Sequence, residues 1–224
     1  MQFSASTFAI LKNFAGIASG LLIQPGNQVR VRAASGALQA EATVDETFPT
    51  EISIYDMNNF LGVAGLFKRP DFDFKSDYAH IVDTDGSAEA TYRYAPPMLI
   101  DTKPRKIPAF ERSGIEFDLS DDAWTALQRA TSLLNVKEIR IVSDGESVQV
   151  TTFDHKRPSC NMFSIGVAAC AKGLRCSTVI GVNNLKFLKS AYHCIVTPKC
   201  TLFENVSGYN LKYYVASEPS STFD

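Results

Sequence analysis

Apolar positions along this chain recur first at helical spacing and then at strand spacing, and the order comes round twice. In residues 4–17, SASTFAILKNFAGI, Phe8, Leu11 and Ala15 join Ile10, Phe14 and Ile17 in one wide stripe. Ser6, Ala9, Lys12, Asn13 and Gly16 share the opposite face. The pattern predicts an amphipathic helix. Two short apolar runs follow, GLLI at 20–23 and QVRVRAA at 28–34, around Gln24-Pro25-Gly26-Asn27, whose residue types make a turn. A helix followed by a hairpin is the expectation.

The second half repeats the plan. Residues 119–134, LSDDAWTALQRATSLL, begin with Ser120 as helix cap and Asp121 and Asp122 in the first turn, where the helix dipole favours anions. Ala123, Trp124, Ala126, Leu127, Ala130, Leu133 and Leu134 form the apolar half of that helix. Asp122, Thr125, Gln128, Arg129 and Ser132 form its polar half. The alternating runs VKEIRIV and SVQVTTF then flank the turn Ser143-Asp144-Gly145-Glu146. A second pair of segments also matches: ISIYDMNNFLGVAGL from Ile52 and STVIGVNNLKFLKSA from Ser177. Each reads as a short strand turning into a helix through Asn58-Asn59-Phe60 or Asn183-Asn184-Leu185. The chain reads as a duplicated module.

Between these anchors, residues 37–44 and 51–55 read as strands leading into a helix at 56–67, and 71–74, 78–83 and 88–95 as a short antiparallel meander. Pro96, Pro97, Pro104 and Pro108 break regular structure and mark an extended connector. In the second half a long run at 162–171 and a strand ending near 180 precede a helix at 183–191. Strands near 193–196, 201–204 and 211–216 close the module, and the polar tail from 217 is expected to fray. This gives an α+β chain of two similar domains, 1–97 and 111–224, joined by a connector at 98–110.

Composition narrows the chemistry. With 45% hydrophobic and 21% charged residues and a formal net charge of −2, the chain has the make-up of an ordinary soluble protein without an overall basic coat. No stretch approaches the ~20 apolar residues of a membrane-spanning helix. The start has no basic region followed by an apolar core and cleavage site, so no secretory signal is expected. The five cysteines, Cys160, Cys170, Cys176, Cys194 and Cys200, include no Cys-x-x-Cys pair and read as reduced small hydrophobes. No glycine precedes a lysine, which excludes a phosphate loop, and there is no Gly-x-Gly-x-x-Gly. DTDG at 83–86 lacks the glutamate of a calcium loop, since Tyr94 stands there, and reads as a turn. His80, His155 and His193 have no metal-ligand spacing. His193 and Cys194 are adjacent on a strand and therefore point to opposite faces. The Asn205-Val206-Ser207 sequon matters only in a secreted protein. Nothing supports an enzyme, a metal or a cofactor.

The outward helix faces are the remaining feature. Lys12 and Asn13 lie on the first, Gln128 and Arg129 on the third, and Lys186 and Lys189, three residues apart, on the fourth. Each alone reads as a solvated face. If both modules set their helices on one side, the set becomes a wall of scattered positive charge that can meet DNA phosphates without reading bases.

The strings LKNFAGIASGLLIQPGN, SIYDMNNFLGVAGLF and FENVSGYNLKYYVASEPSSTFD, with the connector KPRKIPAF, resemble the sliding clamps of T-even-type bacteriophages. The likeness spans nearly the whole chain, clearest before Phe67 and weaker over 153–198. The resemblance implies the processivity-clamp fold and three chains closed head to tail into a ring. Duplex DNA would pass through a hole lined by the helices, with the curved sheets outside. It implies no catalysis and no cofactor. As partners it implies double-stranded DNA, the DNA polymerase, an ATP-dependent clamp loader and the phage late-transcription machinery, all in the cytoplasm of the infected bacterium. Carried onto this sequence, the DNA-facing wall comprises Lys12, Asn13, Gln128, Arg129, Lys186 and Lys189. The subunit edges fall at Ala88, Thr91 and Arg93 and at Phe163, Ile165 and Val167, with a fully buried strand as the other reading of the second run. A partner-peptide pocket falls on Ile107, Pro108, Phe110, Tyr213 and Val215, with ordinary interdomain packing as the other reading there. A homo-oligomeric scaffolding protein of the same duplicated fold, without a DNA role, is the alternative from another functional class.

Overall fold

A computed structural model describes residues 1–100, 110, 112–157 and 159–224. The chain forms two compact units, Met1–Arg105 and Lys106–Asp224. In the first, helix α1 (Ala5–Ile17) is followed by β1 (Leu21–Ile23), β2 (Gly26–Arg32), β3 (Leu38–Phe48) and β4 (Ile52–Ile54). Helix α2 (Met57–Ala64) then leads to β5 (Pro70–Phe74), β6 (Tyr78–Asp83) and β7 (Glu89–Arg93). In the second, β8 (Ile115–Leu119) precedes α3 (Asp121–Leu133), β9 (Glu138–Asp144), β10 (Val148–Phe153), β11 (Ser164–Val167), β12 (Ala169–Cys170) and β13 (Arg175–Gly181). The chain ends with β14 (Tyr192–Val196), β15 (Cys200–Asn205), β16 (Leu211–Ala216) and β17 (Thr222–Phe223).

Strand pairing carries the duplication further than residue identity does. The ladders within each unit, among the described residues, are antiparallel. β1 pairs with β4 and β2 with β3; in the second unit β9 pairs with β13 and β10 with β11. The meander β5-β6-β7 has its counterpart in β14-β15-β16. Even the strand before the helix recurs. β8 pairs with β14, and in the first unit Met1 exchanges backbone hydrogen bonds with Phe72 of β5, at 2.7 and 2.8 Å. The chain is thus one sheet-and-helix plan executed twice, once in each unit.

The apolar stripes fill the core as the helical period requires. Ile10, Leu11, Phe14 and Ile17 of α1 and Trp124, Leu127 and Ala130 of α3 are buried. Both helices open on a serine cap: Ser4 Oγ accepts from the Thr7 N–H and Ser120 Oγ from the Ala123 N–H, each at 3.2 Å. In the first unit Phe3 stacks on Phe72 at 4.4 Å and Phe72 on Phe74 at 5.6 Å, an aromatic plug under the meander. The DTDG segment is a tight turn, with Gly86 N–H bonded to Asp83 O at 2.8 Å and Gly86 at φ 73°. The Asp83 carboxylate accepts from the Lys68 and Arg69 amides.

Four expectations are corrected. β1 and β2 do not form a ladder with each other; Pro25 has no N–H to give, and a bulge at Gly26, which sits at φ 116°, hands β2 to β3. The run at 162–171 is not one buried strand: it breaks at Ala168 into β11, a half-exposed edge strand, and β12, which pairs with β8 in the other sheet. The tail does not fray. Cys176 and Ser177 pair with Phe223 and Thr222, and Arg175 and Asp224 exchange backbone hydrogen bonds, so polar residues close a sheet edge.

The fourth helix is replaced by one 3₁₀ turn, Val182–Asn184, and an irregular strap over 185–190. Two causes are visible. α2 is capped by Asp56, whose carboxylate accepts from the Asn59 N–H at 3.0 Å, whereas the matching residue is Gly181, which has no side chain to cap with. Leu185 and Phe187 are both buried, and a spacing of two puts side chains on nearly opposite sides of a helix.

Two glycine substitutions test this packing. A Cβ on Gly114 would stand 1.9 Å from the Val196 carbonyl oxygen, so Gly114→Ala is expected to destabilise by about 1–3 kcal/mol or more. A Cβ on Gly62, in α2, meets nothing within 4 Å, so Gly62→Ala is expected to stabilise by about 0.5–1 kcal/mol. Denaturant melts of the two variants should move in opposite directions.

Candidate nucleic-acid interface and sheet edges

Burial of the α1 stripe leaves Lys12 exposed and Asn13 half-buried on the far side; Lys12 is the helix's sole charge. On α3, Arg129 is exposed and Gln128 half-buried, while Asp121 and Asp122 occupy the first turn. α2 shows Asn58, Asn59 and Gly62 outward and carries no charge. The two remaining predicted residues, Lys186 and Lys189, are exposed, though on the strap and not on a helix face. Lys189 Nζ comes within 3.9 Å of Asp121 Oδ2, which brings the strap to the start of α3.

The strap is anchored from beneath. Phe187 is sandwiched in two near-parallel stacks, on Tyr213 at 4.3 Å and on Trp124 at 5.1 Å, both 19° from parallel. The Leu188 N–H donates to Tyr213 Oη at 3.1 Å, and Tyr192 Oη donates to Leu188 O. Backbone groups that a helix would have paired internally are satisfied by two buried phenols.

Both predicted edge segments lie at sheet edges. β7 ends the β5-β6-β7 sheet with Thr91 and Arg93 exposed, and Ala88 sits just before it in the β6–β7 turn. β11 ends the β11-β10-β9-β13-β17 sheet with Ile165 and Val167 half-exposed. Phe163, just ahead of β11, is 37% exposed and tied to Thr152 through two hydrogen bonds. Beside it a hollow of 420 Å³ is lined by Ala126, Arg129, Ala130, Leu133, Met162 and Phe163. Leu133 is 80% and Met162 54% exposed, so the apolar half of α3 runs past the core to the surface. Sequence reasoning put Leu133 inside. Its place in the last turn of α3, where the stripe overruns the sheet beneath, was the available signal.

The predicted partner-peptide set is described only in part. Ile107 and Pro108 lie outside the described residues. Tyr213 and Val215 are fully buried, because β16 alternates with Leu211, Tyr213 and Val215 inward. Tyr214, between them, faces the other way and meets Phe110 edge-on at 6.1 Å. The His193–Cys194 pair diverges as its strand position requires: His193 Nδ1 is 2.7 Å from Asp118 on the outer face, while burial pushes the Cys194 thiol well above its ordinary range.

Residues 4–95 match the family model described as DNA polymerase processivity factor. The chain is 26% identical over 222 residues to the sliding clamp of Vibrio phage KVP40, covering 97% of this chain and 99% of that one. It is also 26% identical over 235 residues to the sliding clamp of Enterobacteria phage T4, covering 100% of both. The chain is thus similar to phage sliding clamps over its full length. The fold agrees: the proliferating cellular nuclear antigen of Entamoeba histolytica superposes with a TM-score of 0.71 over 97% of each chain at 12% identity. A structure of A. fulgidus PCNA with the C-terminal region of FEN-1 does so with a TM-score of 0.71 over 96% of each chain at 14% identity. Sliding clamps, the proteins this chain resembles, are processivity factors and not enzymes.

Proposed function

We propose that this clamp closes, as three copies joined head to tail, into a ring around duplex DNA and tethers the phage DNA polymerase to its template. The observation that carries the reading is the full-length relation to phage sliding clamps in a chain whose sheet-and-helix plan is built twice. Three such chains supply six repeats of that plan around a closed circle. Head-to-tail closure needs two different, mutually complementary edges on each copy. β7 with Thr91 and Arg93, and β11 with Phe163, Ile165 and Val167, are the pair we assign to it. The hollow at Leu133 and Met162 lies beside β11, and its exposed apolar side chains would leave water on closure.

The helices and the strap then face the hole. Lys12, Arg129, Lys186 and Lys189 offer phosphates four cations per copy, with Asn13 and Gln128 as neutral neighbours. A ring linked to DNA by topology needs no tight contact, so sparse charge suits sliding. An ATP-dependent loader opens and closes the ring, the late-transcription machinery is a further partner, and the work is done in the cytoplasm of the infected bacterium.

Native mass spectrometry over a concentration series should find a trimer. With the cognate loader, the clamp should be retained on circular DNA and lost from linearised DNA; equal retention on both, or a monomer throughout, returns the chain to the scaffolding reading. Replacing Lys12, Arg129, Lys186 and Lys189 together by alanine should shorten clamp-dependent products, most at raised salt. The salt slope should flatten by about 0.9 per phosphate contact removed. Wild-type synthesis by that variant would mean that these residues do not face DNA. The double substitution Leu133→Ser with Met162→Ser should leave the unit's own stability within about 0.5 kcal/mol. It should weaken trimer formation about tenfold or more, the loss expected for two apolar side chains that no longer leave water.

A further inference from the structure

We propose that Tyr192 and Tyr213 are positioning residues: their hydroxyls clamp the backbone of Leu188 and so fix Lys186 and Lys189 on a rigid, non-helical strap facing DNA. The inference rests on the sliding-clamp reading and names the groups that set its DNA contact in the second unit. A lysine on a loose loop loses conformational entropy when it meets a phosphate; one on a fixed backbone has already lost part of it. The strap has no helical ladder to hold it. Its Leu188 N–H and C=O are taken up instead by Tyr213 Oη and Tyr192 Oη. Both phenols are fully buried, and burial raises their pKa far above the ordinary tyrosine range, so both stay protonated at any working pH.

Side chains at the start of the strap alternate between core and surface. Leu185 and Phe187 point into the core and Lys186 points out, and Phe187 is held in the stack between Trp124 and Tyr213. The first unit has no such device. At the matching place α2 pairs its own backbone and carries no cation. The phenol clamp therefore does for the strap what helical hydrogen bonds do for α2, while setting two lysines at the surface.

The test uses full-length Tyr192→Phe, Tyr213→Phe and the double variant, which remove the hydroxyls and keep the rings. Emission from Trp124, the chain's single tryptophan, reports whether the stack survives. If the double variant loses that signal, Tyr213→Phe alone carries the test. Amide exchange at Leu188 should quicken about fivefold for each hydrogen bond of ~1 kcal/mol removed. Lysine acetylation should then be compared with and without a loaded DNA circle. In the wild type Lys12, Lys186 and Lys189 should all be protected. In the variant, protection at Lys186 and Lys189 should fall by half or more while Lys12 keeps its own.

Unchanged exchange at Leu188 overturns the proposal, as does a loosened strap whose lysines stay protected. If no lysine is protected in the wild type, Lys12 included, the assignment of the DNA-facing wall fails and the proposal fails with it, a result distinct from either of the others.

Discussion

One constraint governs each unit: a sheet face must leave water, and only two short elements are on hand to cover it. In the first unit α1 packs on β2 and β3 and against α2; in the second α3 packs on β10 with the strap beside it. Burial of an apolar side chain is worth roughly 1.5–3 kcal/mol, so helices this short turn most of their large apolar residues toward the sheet, with Leu133 at the end of α3 an exception. What remains outward is what the core cannot use: Asn, Gln, Ser, Gly and a few long cations whose stems tolerate the surface. A weakly basic, small-residue surface follows from the packing itself. The DNA-facing role we propose would draw on a surface that the fold produces anyway.

The same economy leaves the sheets open at their ends. β7 and β11 each have one ladder partner among the described residues, so each presents a row of backbone donors and acceptors. Where an edge is not meant to be shared, the chain closes it with whatever is at hand. β17 caps β13 with a polar tail, and Met1 covers β5. Of the strands at sheet ends, β11 has an exposed apolar hollow beside it. Closing a ring of copies is one use of such an edge that leaves no strand unpaired.

Most of this was legible along the chain wherever one period dominated. α1 and α3 stand out through six or seven apolar residues at helical spacing and a serine cap, and the meander through strict alternation. The misses share a cause, which is that pairing and burial across long separations are not written in local pattern. Thr222 and Phe223 sit in a stretch whose composition reads as loose, yet they find a ladder on Cys176 and Ser177, more than forty residues back. The 183–191 segment has helix-like spacing in its apolar residues, but the core asks for Leu185 and Phe187 on one side, and the uncapped Gly181 offers no resistance. Leu133 was misplaced for the opposite reason. It sits on a correctly read helix, and only its place at the helix end decided which way it faced.

The strap shows how duplicated units part ways without leaving the shared plan. Exchanging Asp56 for Gly181 at the cap position removes a hydrogen bond worth about 1 kcal/mol from a helix of eight residues, a length that tertiary packing alone must stabilise. With the helix gone, its backbone groups must be satisfied elsewhere, and tyrosine is suited to this: its ring fills the core while its hydroxyl reaches a carbonyl or an amide. Tyr192 and Tyr213 come from β14 and β16, the first and last strands of the meander, so the strap is tied to the sheet and not to its own turn. Two cations are thereby carried where the first unit has none. Loss of a helix and gain of charge are then one event, because a backbone released from helical spacing can alternate inward aromatics with outward lysines.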